Sequence, residues 1–352
     1  MSSWLAEMAA ADGGRIRFDR FMELALYDPQ HGYYSRGIED VGRAGDFATT
    51  ATLSSILGQA IAGFVRAETL RPTFAKDFGD LSRVATVGRL GRPSLIELGP
   101  GNGQLADEVL RQLPRWRLRR YLLVDVNKRL AAHYPARVRG RARFCDDLNA
   151  AADAASGYPI LFGNEFVDAF PCRRFRRTEA GWSEGYLVLN GETWTEHYLA
   201  VGQLPESTVW ELSGPIGQLV EVHAAFRDWL DAATKILGSA TVVLIDYGDR
   251  PETIYRRRIE GSLRAYYRHQ RLTGRDIYLR AGLQDLTCDV NFADLILWSK
   301  GAGWAVADLA DQREFILEWY PGAARLPDPV SRQLLDPEGA GGAFKVLILR
   351  KP

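Results

Sequence analysis

The sequence predicts an α/β protein built on an open, mostly parallel, doubly wound sheet. From residue 93 onward, short apolar runs of strand length alternate with helical stretches, and the first run leads directly into a glycine-rich turn. Later runs are followed by carboxylates, as expected where the carboxyl edge of a parallel sheet meets a ligand. The runs cover residues 94–98, 121–126, 159–162 and 241–245, and residues 341–349 read as a final strand.

With 352 residues and 46% hydrophobic content, the chain can bury a sizeable core as one large domain with additions or as two domains. Lys+Arg and Asp+Glu both total 44, so no net field draws it towards nucleic acid, and no such partner is expected. Cys145, Cys172 and Cys288 lie far apart in sequence, and the five histidines lack the short spacings of zinc sites. Neither a disulfide framework nor a metal is expected. The first residues show no basic stretch followed by an apolar run, and no apolar stretch reaches transmembrane length. The expectation is a cytoplasmic protein with no membrane partner.

Residues 15–70 read as helical, with Phe18, Phe21, Met22 and Leu26 spaced to share a face and a second run over 53–67. The segment 27–47 between them is dense in glycine and aromatic residues, which fits either a loop covering a ligand or a turn-rich connector. A helical N-terminal cover over 1–84 thus precedes a core over 85–352, with insertions at about 173–215 and 250–335. Within the first insertion, residues 173–199 alternate apolar and polar around Asn190-Gly191, a type I′ hairpin signal, so an antiparallel addition is expected. The amphipathic run 219–237 would return the chain to the sheet. Residues 250–280 carry many charges, and Arg256-Arg257-Arg258 reads as a solvated surface run.

The strongest chemical signal is Glu97-Leu98-Gly99-Pro100-Gly101-Asn102-Gly103. Glycines at alternate positions let a cofactor approach the backbone through dihedrals that a Cβ opposes. A dinucleotide fingerprint would require glycine at position 104, where the chain has Gln104, so an NAD-dependent oxidoreductase ranks last. The pattern E-x-G-x-G-x-G is instead that of folds binding S-adenosylmethionine (SAM), with the acidic residue near the methionyl ammonium. Asp125 ends the next run, where its carboxylate can accept both ribose hydroxyls or cap a helix. Asp146 and Asp147 follow the third strand and can meet the adenine amino group or, equally, cap a helix.

Asn164-Glu165-Phe166-Val167-Asp168-Ala169 should stand at the carboxyl edge of the sheet. Glu165 is the candidate partner of a nucleophile, supported by Asp168 and Asn164; a capped helix start is the competing explanation. Asp246-Tyr247-Gly248 ends the following strand on the same edge.

Together these residues resemble the MidA family of SAM-dependent methyltransferases, which includes the mitochondrial complex I assembly-factor arginine methyltransferase. The likeness extends over 21–27 and His31-Gly32-Tyr33-Tyr34, then Gly42-Arg43-Ala44-Gly45-Asp46-Phe47 and the glycine turn. It continues through Asn164 to Pro171, Ile245-Asp246-Tyr247-Gly248, residues 261–266, Asp285-Leu286-Thr287 and residues 344–347. It implies a class I, Rossmann-like methyltransferase fold with a seven-stranded sheet, and a cover bringing Gly45, Asp46 and Phe47 near SAM. It also makes protein arginine a candidate acceptor, beside a small-molecule intermediate of natural-product type.

Two departures bear on the acceptor. The family's Thr-Ser-Pro-Glu stretch is here Thr49-Thr50-Ala51-Thr52, and its Thr-Ala-His-Val-Asp-Phe is Thr287-Cys288-Asp289-Val290-Asn291-Phe292. Because SAM is an activated donor, the protein mainly has to align a nitrogen or oxygen nucleophile and accept a proton. The rival expectation is a non-catalytic assembly or scaffolding factor that retains the fold.

Overall fold

The computed structural model describes residues 3–11, 13–37, 54–76, 84–190, 193–268 and 270–351. The chain forms two compact units, one of residues 1–49, 165–235 and 246–306, the other of 50–164, 236–245 and 307–352. Two of the passages between them, 164 to 165 and 245 to 246, fall inside motifs singled out above.

The second unit carries the expected sheet. Its strands run in the order Ala305–Asp311, Phe344–Lys351, Ala240–Asp249, Pro159–Asn164, Ser94–Leu98, Arg120–Val124 and Arg143–Cys145. Ser94–Leu98 pairs in parallel with Arg120–Val124 on one side and with Pro159–Asn164 on the other. Successive strands therefore leave Ser94–Leu98 in opposite directions, which makes its carboxyl end the topological switch point where open α/β sheets bind ligands. All five of its residues are buried, as befits a strand covered on both faces.

Helix Gln104–Gln112 follows the glycine turn and buries Leu105, Ala106, Val109 and Leu110. The second predicted helix spans Ile56–Glu68, and Phe64 on it packs against Phe315 and Trp319. The final strand starts later than expected, because Ala340–Ala343 forms a helical turn. No helix among the described residues is long and apolar enough to cross a membrane.

In the first unit, helix Phe18–Tyr27 buries Phe18, Phe21, Met22 and Leu26, the predicted face. The helical expectation fails just before it: Arg15–Arg17 is a strand paired with Gly181–Asn190. Gly181–Asn190 and Thr193–Ala200 form the predicted hairpin, although Gly191 at its turn lies outside the described residues. Arg173–Thr178 forms a second hairpin with Gly181–Asn190 that the sequence reading passed over.

The run 219–237 is not one amphipathic helix. Leu219–Val222 is a strand on Arg173–Thr178, and the helix is Ala224–Ile236. Strand Arg264–Tyr267, between Gln270–Leu272 and Asp285–Thr287, forms a small sheet inside the charged stretch. Arg256, Arg257 and Arg258 are exposed, as expected. Cys172 and Cys288, distant in sequence, meet as buried free thiols with sulfurs 3.3 Å apart.

Candidate active site

The glycine turn is built around Asp125. Gly99, Gly101 and Gly103 have φ of 63°, 54° and 76°. At Gly103 a Cβ would also stand 2.9 Å from Tyr134 Cδ1, so glycine is required by space as well as by dihedral. The Asp125 carboxylate accepts backbone N–H bonds from Asn127, at 2.8 Å, and from Gly101 and Val126. It therefore folds the turn onto its own strand end, leaving part of its acceptor capacity for a hydroxyl ligand. Burial holds its pKa up at about 6 against those amides.

Glu97 lies within the strand, 2% exposed, with the Tyr121 hydroxyl donating to Oε2 at 2.6 Å. Burial pushes its pKa to about 8, the Tyr121 bond opposes the rise, and nearby Asp125 adds to it. Asp146 is exposed and paired with Lys128 at 2.6 Å. Asp147 caps helix Leu148–Ala154 by accepting from Ala150 N at 2.8 Å. The capping alternative thus describes Asp147.

Two neighbouring groups went unnoticed in the sequence: buried Tyr134 Oη and Asn127 Nδ2 have no hydrogen-bond partner among the described residues. Tyr134 meets Gly103, and its hydroxyl feels the charges of Asp125 and Glu97. Buried polar atoms without partners are costly unless a ligand supplies them. With three left-handed glycines and two strand carboxylates, they fit a ligand bearing an ammonium, hydroxyls and a heterocycle, as SAM does.

The first unit gathers a second set of groups. Asp168 is buried, and its Oδ2 accepts from the Tyr247 hydroxyl and, at 2.8 Å, from the Thr287 hydroxyl. Its Oδ1 is buried without a partner among the described residues. Burial raises its pKa, and Tyr247, Thr287 and Arg264 oppose the rise. Asp285, which accepts from Tyr34 Oη at 2.7 Å, is lifted to about 7 by burial and by Asp168.

Asp246, fully buried, is raised by burial and by its neighbours Asp168 and Glu165. Arg264, whose guanidinium lies 4.5 Å from the Tyr247 ring centroid, is paired with Asp289 at 2.5 Å. Carboxylates so close cannot all be ionised without a cation, so the group as a whole favours one. His223 is buried and kept neutral, its pKa lowered to about 4 by desolvation.

Glu165, the sequence's first choice, is half-buried with a left-handed φ of 51°. Asn164 ends its strand in register with Ile245, in the second unit. Phe166 and Phe170 anchor the following turn against Trp229, at 5.2 and 6.0 Å between ring centroids. Gly248 is obligatory, because its φ is 149° and a Cβ would stand 2.0 Å from the Val290 carbonyl oxygen.

Two of the positions that differ within residues 287–292 have local roles. Asp289 pairs with Arg258 and Arg264, and Asn291 caps helix Phe292–Gly301 by accepting from Ala293 N at 3.1 Å. Gly45, Asp46, Phe47 and Thr49-Thr50-Ala51-Thr52 lie outside the described residues. An open surface depression of about 670 Å³, bordered by Pro215, Tyr255 and Arg256, includes none of the residues proposed here as functional.

Residues 81–309 match the family model described as "Putative S-adenosyl-L-methionine-dependent methyltransferase". The mitochondrial protein arginine methyltransferase NDUFAF7 homolog of Caenorhabditis elegans is 25% identical over 342 residues, covering 87% of this chain and 73% of that protein. The mitochondrial protein arginine methyltransferase NDUFAF7 of Danio rerio is 25% identical over 314 residues, covering 80% and 68%. Among solved structures, a Burkholderia thailandensis protein bound to S-adenosyl-homocysteine superposes with a TM-score of 0.83 at 25% identity, covering 99% of this chain and 91% of that one.

Proposed function

We propose, from the premise that the chain belongs to this family of S-adenosyl-L-methionine-dependent methyltransferases, that its acceptor is the guanidinium of an arginine carried by a protein. The observation that carries this reading is the Oδ1 of buried Asp168, without a partner among the described residues and set among carboxylates beside which the Arg264 guanidinium is already matched by Asp289. The family's arginine-methylating relatives from Caenorhabditis elegans and Danio rerio support the same class of acceptor.

SAM supplies an electrophilic methyl group on a sulfonium. In the second unit, Glu97 would hold its ammonium, Asp125 its ribose hydroxyls, and the Gly99 to Gly103 turn would admit its backbone-hugging portion. Tyr134 Oη and Asn127 Nδ2 would gain the partners they lack. In the first unit, Asp168 would orient the acceptor nitrogen through Oδ1 while Tyr247 and Thr287 fix Oδ2. An arginine side chain stays protonated in water, with a pKa above about 12, so a carboxylate must take its proton as the new bond forms. Glu165 remains a second carboxylate for that cation.

The test uses protein saturated with S-adenosyl-homocysteine and two peptides differing only in arginine against citrulline, its neutral isostere. Calorimetry should detect the arginine peptide alone, with affinity rising with pH as the carboxylates release their shared proton. Equal binding of both peptides would remove the guanidinium from the account.

Glu97 makes a separate prediction. With its folded pKa at about 8 and its ordinary value at 4.5, the folded protein keeps a proton between those pH values that the unfolded chain releases. Stability from this group is therefore greatest at low pH and falls as pH rises through that window. Glu97→Gln should flatten the fall in Tm and raise Tm of the ligand-free protein at pH 8. It should also weaken SAM and abolish the proton release that accompanies SAM binding, read by calorimetry in two buffers. An unchanged proton release would place the ammonium elsewhere.

A further inference from the structure

We infer that Asp246 is the positioning residue of the acceptor group, holding the 165–168 turn in the one conformation that presents Asp168. The inference rests on the acceptor reading above only in assigning Asp168 its role. Asp246 is fully buried, and its Oδ2 accepts from three successive backbone amides: Phe166 N at 3.1 Å, Val167 N at 2.8 Å and Asp168 N at 3.2 Å. Its Oδ1 accepts from Tyr247 N at 3.0 Å.

Consecutive amides converging on one oxygen form an anion nest, which needs a residue of left-handed conformation nearby. Glu165, with φ of 51°, supplies it. A non-glycine residue in that region is strained and persists only where its surroundings over-determine it. The three bonds to Asp246 are such a determination.

The next residue completes the arrangement. Tyr247 donates its hydroxyl to Asp168 Oδ2, so two adjacent residues fix both the backbone and the carboxylate of Asp168. An ordinary helix cap would satisfy the amides without being coupled to that carboxylate. Asp246 stands close enough to that carboxylate for the charge of Asp168, with that of Glu165, to raise its own pKa. Arg264 and Asp285 also face Asp168, and Tyr247 and Thr287 bond to it.

The test is Asp246→Asn in the full chain, which keeps an oxygen for the amides and removes the charge. It should fold and bind S-adenosyl-homocysteine within about twofold of wild type, with methyl transfer to an arginine peptide falling at least about tenfold in kcat. Loosening the turn should also move the acid limb of its pH profile to higher pH, because Asp168 would be held less firmly against the Tyr247 and Thr287 hydroxyls whose bonds keep its pKa down.

The same shift is read without any acceptor by carbon NMR titration of the Asp168 carboxyl, assigned with Asp168→Asn. Should the wild-type enzyme methylate no arginine peptide, the acceptor reading fails and this titration alone decides the inference. A raised Asp168 titration supports it. An unmoved titration, or kcat and pH profile equal to wild type, overturns it, and so does a parallel loss of S-adenosyl-homocysteine affinity with the titration unchanged.

Discussion

Asp168→Asn is expected to lower methyl transfer by roughly 10²–10⁴-fold, the range commanded by a positioned general base, with S-adenosyl-homocysteine binding nearly unchanged. Asparagine keeps an oxygen for the Tyr247 and Thr287 hydroxyls, so the Oδ2 side of the group survives. On the Oδ1 side it replaces an acceptor with an amide that donates, and a guanidinium offers only donors. Removing a buried charge from a cluster of carboxylates should also raise Tm, which separates lost activity from lost structure. Turnover within about threefold of wild type would exclude Asp168 from proton transfer.

The second large effect concerns the turn. Gly103→Val forces a β-branched residue to φ 76° and drives its Cβ to within 2.9 Å of Tyr134 Cδ1. The strain is worth about 1–3 kcal/mol, and relief by moving the turn or Tyr134 should weaken S-adenosyl-homocysteine by roughly ten- to hundredfold.

Tyr134→Phe is the gentler companion. It removes a buried hydroxyl that has no partner among the described residues, so ligand-free stability should rise while cofactor affinity falls by roughly three- to tenfold. Those opposite signs, read by thermal melts and calorimetry, are the signature of a hydroxyl reserved for a ligand. If both quantities fall together, Tyr134 is a packing residue.

Much of this was legible in the sequence, for a physical reason. Strands covered on both faces are written as nearly continuous apolar runs, so residues 94–98, apolar but for Ser94 and Glu97, were placed without error and the parallel order followed from alternation of such runs with helices. Glycines that must adopt positive φ mark their turn by composition alone. The strand Arg15–Arg17 escaped because three residues cannot display a period. Leu219–Val222 escaped because its apolar run flows into an amphipathic helix without a turn signal.

The site itself divides in the same way. Glu97 and Asp125 border the glycine turn and the end of the next apolar run and were visible there, whereas Tyr134 and Asn127 count only because their polar atoms are buried without partners among the described residues. Asp246 was placed at the same sheet edge as Asp168. Its grip on three amides of a segment 78 to 80 residues earlier depends on tertiary contact, which no local pattern encodes.

The most direct measurement is methyl transfer from SAM labelled in its methyl group to a pool of arginine-bearing peptides, comparing wild type with Asp168→Asn and analysing acid hydrolysates for the labelled amino acid. The account predicts label in methylated arginine with the wild-type protein and almost none with the variant. Label in lysine or in a base-labile ester, or equal labelling of arginine by both proteins, would contradict it.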